Sequence, residues 1–294
     1  MKRVLGLDIG GANLKAAHSN GAARTQREFF ARTPPFTPED FAWVADYCAH
    51  QHVDFLCTPF DLPTIEWLDP LVPAWKVASA DITNAPLLER LAWSRKPILL
   101  STGASTLHDI HYALGRLADP AAENVCLMHC VLSYPTYRED ANLLAIQVIA
   151  NQWPGATMGY SDHTIGTSSM DPCFYAYLLG ARIIEKHFTD DVRRPGNDHY
   201  HSMRPRDLQW LRTQCTRAAL YLGTGQKAEV AACERPALQF ARRGLYAAKL
   251  IPAGQSFTTS DVMIWRPAAR LGPEQYAAVL GTVAQRDYQP GEPL

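Results

Sequence analysis

Gly159-Tyr160-Ser161-Asp162-His163-Thr164 and, a short way on, Ile184-Glu185-Lys186-His187-Phe188-Thr189 decide the fold. Each reads as a strand that runs out into polar groups: Ala156–Tyr160 opens into Ser-Asp-His-Thr, and Ala181–Glu185 into Lys-His. Between them, Phe174 to Leu179 is apolar enough for a buried helix, and Gly180 stops it. The spacing predicts a strand, helix, strand unit with a right-handed parallel crossover. Both strands of such a unit end on the same side of the sheet. His163 and His187 are therefore expected side by side at two neighbouring carboxyl ends, the face where α/β barrels keep their chemistry. Two imidazoles there can hold a divalent metal and leave positions open for water or substrate.

Working outward, strand and helix alternate. Strands are expected at Val53–Leu56, Ala74–Ala78, Pro97–Leu100 and Val125–Cys130. Helices are expected at Ala85–Ala92, Thr106–Leu117 and Asn142–Gln152. Upstream, Thr37 caps a helix that runs to about Gln51, with Pro38 at its first position and Asp40 completing a capping box. Residues 24–31 read as a short strand, and Val4–Ile9 as a first strand with a Gly turn. This order predicts an α/β protein with a (β/α)8 TIM barrel whose first units are shortened. A doubly wound sheet is the alternative, but no Gly-x-Gly-x-x-Gly marks a switch point.

Nearly every expected strand ends in hydroxyls, a lysine or a Gly turn: Thr58 with Pro59 and Phe60, Lys76 through Ser79 to Asp81, Ser101-Thr102-Gly103, and His129 through Tyr134 to Thr136. Such groups suit a carboxylate and a phosphate. After Leu222-Gly223 the pattern changes. We read residues 1–224 as the barrel, 225–240 as a linker and 241–294 as a small β-rich unit with Pro-Gly turns.

The 294 residues are 47% hydrophobic and 19% charged, with a net charge of -1. That balance supports a full core and gives no bulk attraction for nucleic acid or an anionic membrane. No apolar run reaches the ~20 residues of a membrane span. Seven scattered cysteines without a Cys-x-x-Cys read as reduced thiols of a cytoplasmic protein. Cys126, His129 and Cys130 could suggest zinc, but they alternate on an apolar strand, which argues against it.

Thr-Pro-Phe-Asp at Thr58–Asp61, Lys-Val-Ala-Ser-Ala-Asp at Lys76–Asp81, Leu-Ser-Thr-Gly at Leu100–Gly103, Ser-Asp-His-Thr, Glu-Lys-His-Phe-Thr and Gly-Asn-Asp-His at Gly196–His199 together resemble the sialic acid synthase family. The resemblance runs from about Phe36 to the end. It implies condensation of phosphoenolpyruvate with an N-acetylated hexose (N-acetylmannosamine or a 6-deoxy-diacetamido analogue) to give a nonulosonic acid. It also implies manganese on His163 and His187, with magnesium or cobalt as alternatives, and phosphoenolpyruvate on Thr58, Lys76, Ser79 and Ser101. Tyr134, Asp81 and Asp198 match positions at the sugar or the reacting centre. The small unit resembles an antifreeze-like (SAF) domain, in which Arg266 reaches the sugar of the partner chain in a domain-swapped homodimer. The start departs from the pattern. Asp8-Ile9-Gly10-Gly11 stands where the family carries Glu-Ile-Gly followed by Asn-His, and the first ~20 residues resemble the phosphate loop of an actin-like fold. An impaired homologue that keeps the metal and the ligand pocket is the alternative function. Asp81 and Leu132 differ from the glutamate and asparagine that many members carry at positions bearing on the sugar.

Overall fold

A computed structural model describes residues 36–165, 171–195 and 198–294. The expected strands at Val4–Ile9 and 24–31, and Gly196-Asn197, lie outside the described residues. The chain divides between Tyr221 and Leu222 into two compact units.

In the first unit, helix α1 (Pro38–His50) starts on Thr37, whose side chain and that of Asp40 form the expected capping box. Helix α2 (Leu62–Leu68) follows, capped by Asp61. Then come β1 (Trp75–Val77), α3 (Ala85–Ala92), β2 (Ile98–Ser101), α4 (Leu107–Arg116), β3 (Val125–Cys130), α5 (Ala145–Gln152), β4 (Thr157–Asp162), α6 (Asp171–Leu178), β5 (Ile183–Lys186) and α7 (Pro205–Leu222). The five strands form one sheet in the order of the chain, every pair parallel. The helices present an apolar stripe to it. Leu87, Leu88 and Leu91 of α3, and Ile110, Ala113 and Leu114 of α4, are buried, each leucine worth about 1.5–3 kcal/mol against exposure.

The sheet curls. In a flat sheet β1 and β5 would stand about 19 Å apart, four spacings of ~4.8 Å. Yet Lys76 Nζ on β1 lies 3.5 Å from Glu185 Oε2 on β5. Only an arc closing towards itself brings these edge strands within reach of each other. Alternation along each strand then separates an inner from an outer face. Inside lie Leu99, Cys126, Met128 and Ile183, which pack together with Leu56 and Ala74. Gly159 leaves room for them: a Cβ there would sit 2.8 Å from Met128 Cγ. Outside, Trp75, Val77, Leu100, Leu127 and Tyr160 join the helices in the main core.

One expected strand does not form. Val53–Leu56 is irregular although Phe55 and Leu56 are buried. Its first amide is used by the preceding helix: Val53 N–H donates to Cys48 O and His52 N–H to Ala49 O, with His52 at φ 57°. This is a Schellman closure.

The second unit begins with the end of α7, an irregular stretch over 225–231 and the short helix α8 (Arg235–Phe240). Strand β6 (Gly244–Ala247) pairs antiparallel with β7 (Val262–Trp265), and helix α9 (Tyr276–Val279) follows. Leu245, Ala247, Ile251, Phe257, Val262 and Leu294 make its own core. The Thr258 hydroxyl, with Lys249 and the Thr258 amide, holds the buried Asp261 carboxyl down at about 2. Among the described residues no helix is long and apolar enough to cross a membrane.

Candidate active site

The carboxyl ends of β1 to β5 carry the candidate residues other than Thr58 and Arg266, and the parity of each strand decides which of them face inward. On β4 and β5, Asp162 pairs with Lys186 in register. His163 and His187 each follow one residue later. Their ring centroids are 5.5 Å apart. The structure thus places the two imidazoles together, and adds a third: His201, buried, lies 4.7 Å from the His187 ring. His187, Asp198 and His201 offer ligand atoms that all lie within 4.8 Å of one another. Asp198 Oδ2 is 3.7 Å from His187 Nδ1.

His163 is oriented by the backbone. Its Nδ1 lies 2.9 Å from Val131 O. A carbonyl only accepts, so Nδ1 carries the proton and Nε2 keeps its lone pair for a ligand. Tyr134 covers the group, its ring 3.9 Å from that of His163 and 6.0 Å from that of His201. A set of imidazoles with one carboxylate is the donor chemistry of a divalent first-row metal. By that chemistry these residues fit a divalent metal.

Across the arc lies a group suited to an anion. Lys76 is buried and donates to Val77 O at 3.1 Å as well as facing Glu185. Ser79 Oγ accepts from Gly103 N–H at 2.9 Å. This close approach needs glycine, since a Cβ at Gly103 would meet Ser79 Oγ at 2.8 Å and Leu132 at 3.1 Å. Ser101 Oγ is buried without a hydrogen-bond partner among the described residues, an uncommon cost for a native interior unless a ligand or water completes it. Thr58 is buried as well. Asp81 closes the turn after β1, accepting from Asn84 Nδ2 at 3.0 Å.

Glu185 connects the two groups. It sits on β5 two residues before His187, on the same face, and accepts from Ser161 Oγ at 2.7 Å. Sequence reasoning quoted Glu185 but gave it no role, and passed over His201. The signal for His201 was its place three residues after Asp198, in a His-x-His run.

Two neighbours in sequence point the other way. Asp162 and Lys186 face outward, 2.7 Å apart and almost fully buried. Tyr160 OH and Thr164 N–H also donate to Asp162, each at 2.9 Å. Burial alone would raise the Asp162 carboxyl, but Lys186 and the Thr164 bonds hold it below its ordinary value. His129 is on the outer face too, 2.9 Å from Ala141 O, and burial lowers its pKa. It cannot join Cys126 and Cys130, which face inward and whose thiols burial pushes up, that of Cys126 to about 12. Arg266 belongs to the second unit, exposed just after β7.

The model of the NeuB family matches residues 10–227, beginning before the Phe36 that the motifs suggested. The chain is 35% identical over 244 residues to N,N'-diacetyllegionaminic acid synthase of Campylobacter jejuni, covering 82% of this chain and 72% of that one. It is similar to the N-acetylneuraminic acid (sialic acid) synthetase of Leptospira borgpetersenii, with a TM-score of 0.62 and 35% identity over 68% of this chain and 69% of that one. A Chromobacterium violaceum chain described as a spore coat polysaccharide biosynthesis protein E superposes with a TM-score of 0.78 and 25% identity over 99% of this chain and 87% of its own.

Proposed function

The chain belongs to the NeuB family, and from that membership and the two facing groups in the arc we propose that it condenses phosphoenolpyruvate with an N-acetylated hexose. The products are a nonulosonic acid and phosphate. The sugar is N-acetylmannosamine or a 6-deoxy-diacetamido analogue, and the full architecture is a (β/α)8 barrel followed by an antifreeze-like domain. The observation that carries this reading is the pairing of an anion cradle with an imidazole cluster. Buried Lys76, Ser79 and Ser101, whose Oγ has no hydrogen-bond partner among the described residues, lie across the arc from His163, His187 and His201, with Glu185 between.

In this reading Lys76 and the Ser79, Ser101 and Thr58 hydroxyls hold the carboxylate and phosphate of phosphoenolpyruvate, charge-assisted bonds that orient the enol face. Tyr134, Asp81 and Asp198 hold the open-chain sugar with its aldehyde carbon towards carbon 3. Carbon 3 forms the new bond to the aldehyde carbon, water adds at carbon 2, and phosphate leaves from the tetrahedral adduct. Keeping both reactants in register lowers the barrier by up to ~7 kcal/mol or more. A divalent metal, manganese by preference, supplies Lewis-acid polarisation of a carbonyl oxygen when bound. His163 and His187 are the residues that would hold it. We also propose that the chain acts as a homodimer in which Arg266 of each small unit serves the partner's site.

The experiment is direct. Protein with Mn2+ and phosphoenolpyruvate is given N-acetylmannosamine or 2,4-diacetamido-6-deoxyhexoses, and phosphate and the nine-carbon acid are measured. One sugar should yield both in equal amounts. Phosphate release without an acid product, or neither with any sugar, would overturn the reading.

A further inference from the structure

We propose that His201 is a protein ligand of the divalent metal, joining the imidazoles of His163 and His187, with Asp198 as the carboxylate of the set. The inference rests on the metal reading of His187 but goes beyond the two histidines, His163 and His187, that the sequence assigned.

Three observations carry it. First, His201 is fully buried in the short turn His199–His201, with its ring 4.7 Å from that of His187. Second, His187, Asp198 and His201 are the group whose ligand atoms come within 4.8 Å of one another among the described residues. A metal bonded at ~2.1 Å to each atom needs them about 3–4 Å apart, a closure that side-chain torsions can supply. Third, the turn is fixed from outside. Thr189 Oγ1 lies 2.8 Å from His199 Nδ1, Met203 N–H donates to His187 O at 2.7 Å, and Ser202 Oγ donates to Asp198 O at 2.6 Å. His199 is thus engaged by Thr189, while Asp198 and His201 are set on either side of it beside His187. Three imidazoles and a carboxylate still leave positions open on an octahedral ion.

The test measures metal binding without substrates. Mn2+ affinity is measured by titration calorimetry, and nitrogen couplings to bound Mn2+ by pulsed EPR, for wild type, His187→Phe and His201→Phe. Circular dichroism of the metal-free proteins checks folding. Phenylalanine keeps an aromatic ring against Tyr200 and His187; should it unfold the protein, His201→Gln replaces it. We expect His201→Phe to weaken Mn2+ binding at least tenfold, the loss seen even for outer-shell partners, and to remove one nitrogen coupling. If His187→Phe loses the metal while His201→Phe keeps both affinity and couplings, the assignment of His201 is overturned and the metal reading of His187 stands. If neither variant changes affinity or couplings, the metal reading of His187 falls, and this inference with it.

Discussion

Lys76 shows how a single side chain carries two competing explanations. Its ion pair with Glu185 at 3.5 Å could serve only to tie the edges of the arc, or it could hold a cation in place for an anionic substrate. The two make different predictions. Lys76→Ala should weaken phosphoenolpyruvate binding by roughly 1.5–3 kcal/mol, about one to two decades in Kd, as for a lost bond to a charged group. Calorimetry that finds the affinity unchanged while the melting temperature falls would leave only the structural tie. At this scale the sequence was legible where residue type and strand parity agree. Lys76, Ser101, His163 and His187 all fall on inward positions. Adjacency to a site residue carries no such information. Asp162 and Lys186 share motifs with the two histidines, yet the pleat turns them outward into a buried ion pair of their own. His201 escaped because a turn, unlike a strand, has no period from which a facing could be read.

The helices and strands were readable to within a few residues wherever a capping signal or an apolar run stood alone. Thr37 with Asp40 forms the capping box that the sequence announces, Thr106 with Asp109 forms a second at the start of α4, and β3 falls on the expected residues. Val53–Leu56 was not readable in this way, because its apolar run begins inside the closure of α1. The closing residue, His52, takes a φ of 57°, a conformation that costs a side-chain-bearing residue about 1–2 kcal/mol and glycine almost nothing. His52→Gly should therefore stabilise the first unit by up to ~1 kcal/mol, the gain being reduced by the greater freedom of glycine in the unfolded chain. Denaturant unfolding with an unchanged slope and a higher midpoint is the expected result. A lower midpoint would mean that the imidazole itself contributes to the closure.

At the scale of the whole molecule, the residues of the proposed anion cradle and imidazole cluster all come from the first unit, and Arg266 comes from the second. Exposed between Trp265 and the ring-locked Pro267, Arg266 presents a planar cation with little freedom in its backbone. A site that forms a reactive intermediate gains from a cover that excludes water, because every charge interaction inside strengthens. In a two-fold dimer the same patch serves both copies. If Arg266 acts in trans, one defective chain can repair another. Arg266→Ala keeps an intact first unit, and Lys76→Ala keeps an intact arginine. Mixed under conditions that allow subunits to exchange, they should form hybrid dimers in which one of the two sites has both groups. Random pairing would then restore about a quarter of wild-type activity, well above either variant alone. Recovery should require exchange, so covalently crosslinking each variant before mixing should abolish it. If the mixture stays at the level of its parents while labelled chains are seen to exchange, Arg266 does not serve the partner's site, and exchange of the small unit across a dimer is not how this protein works.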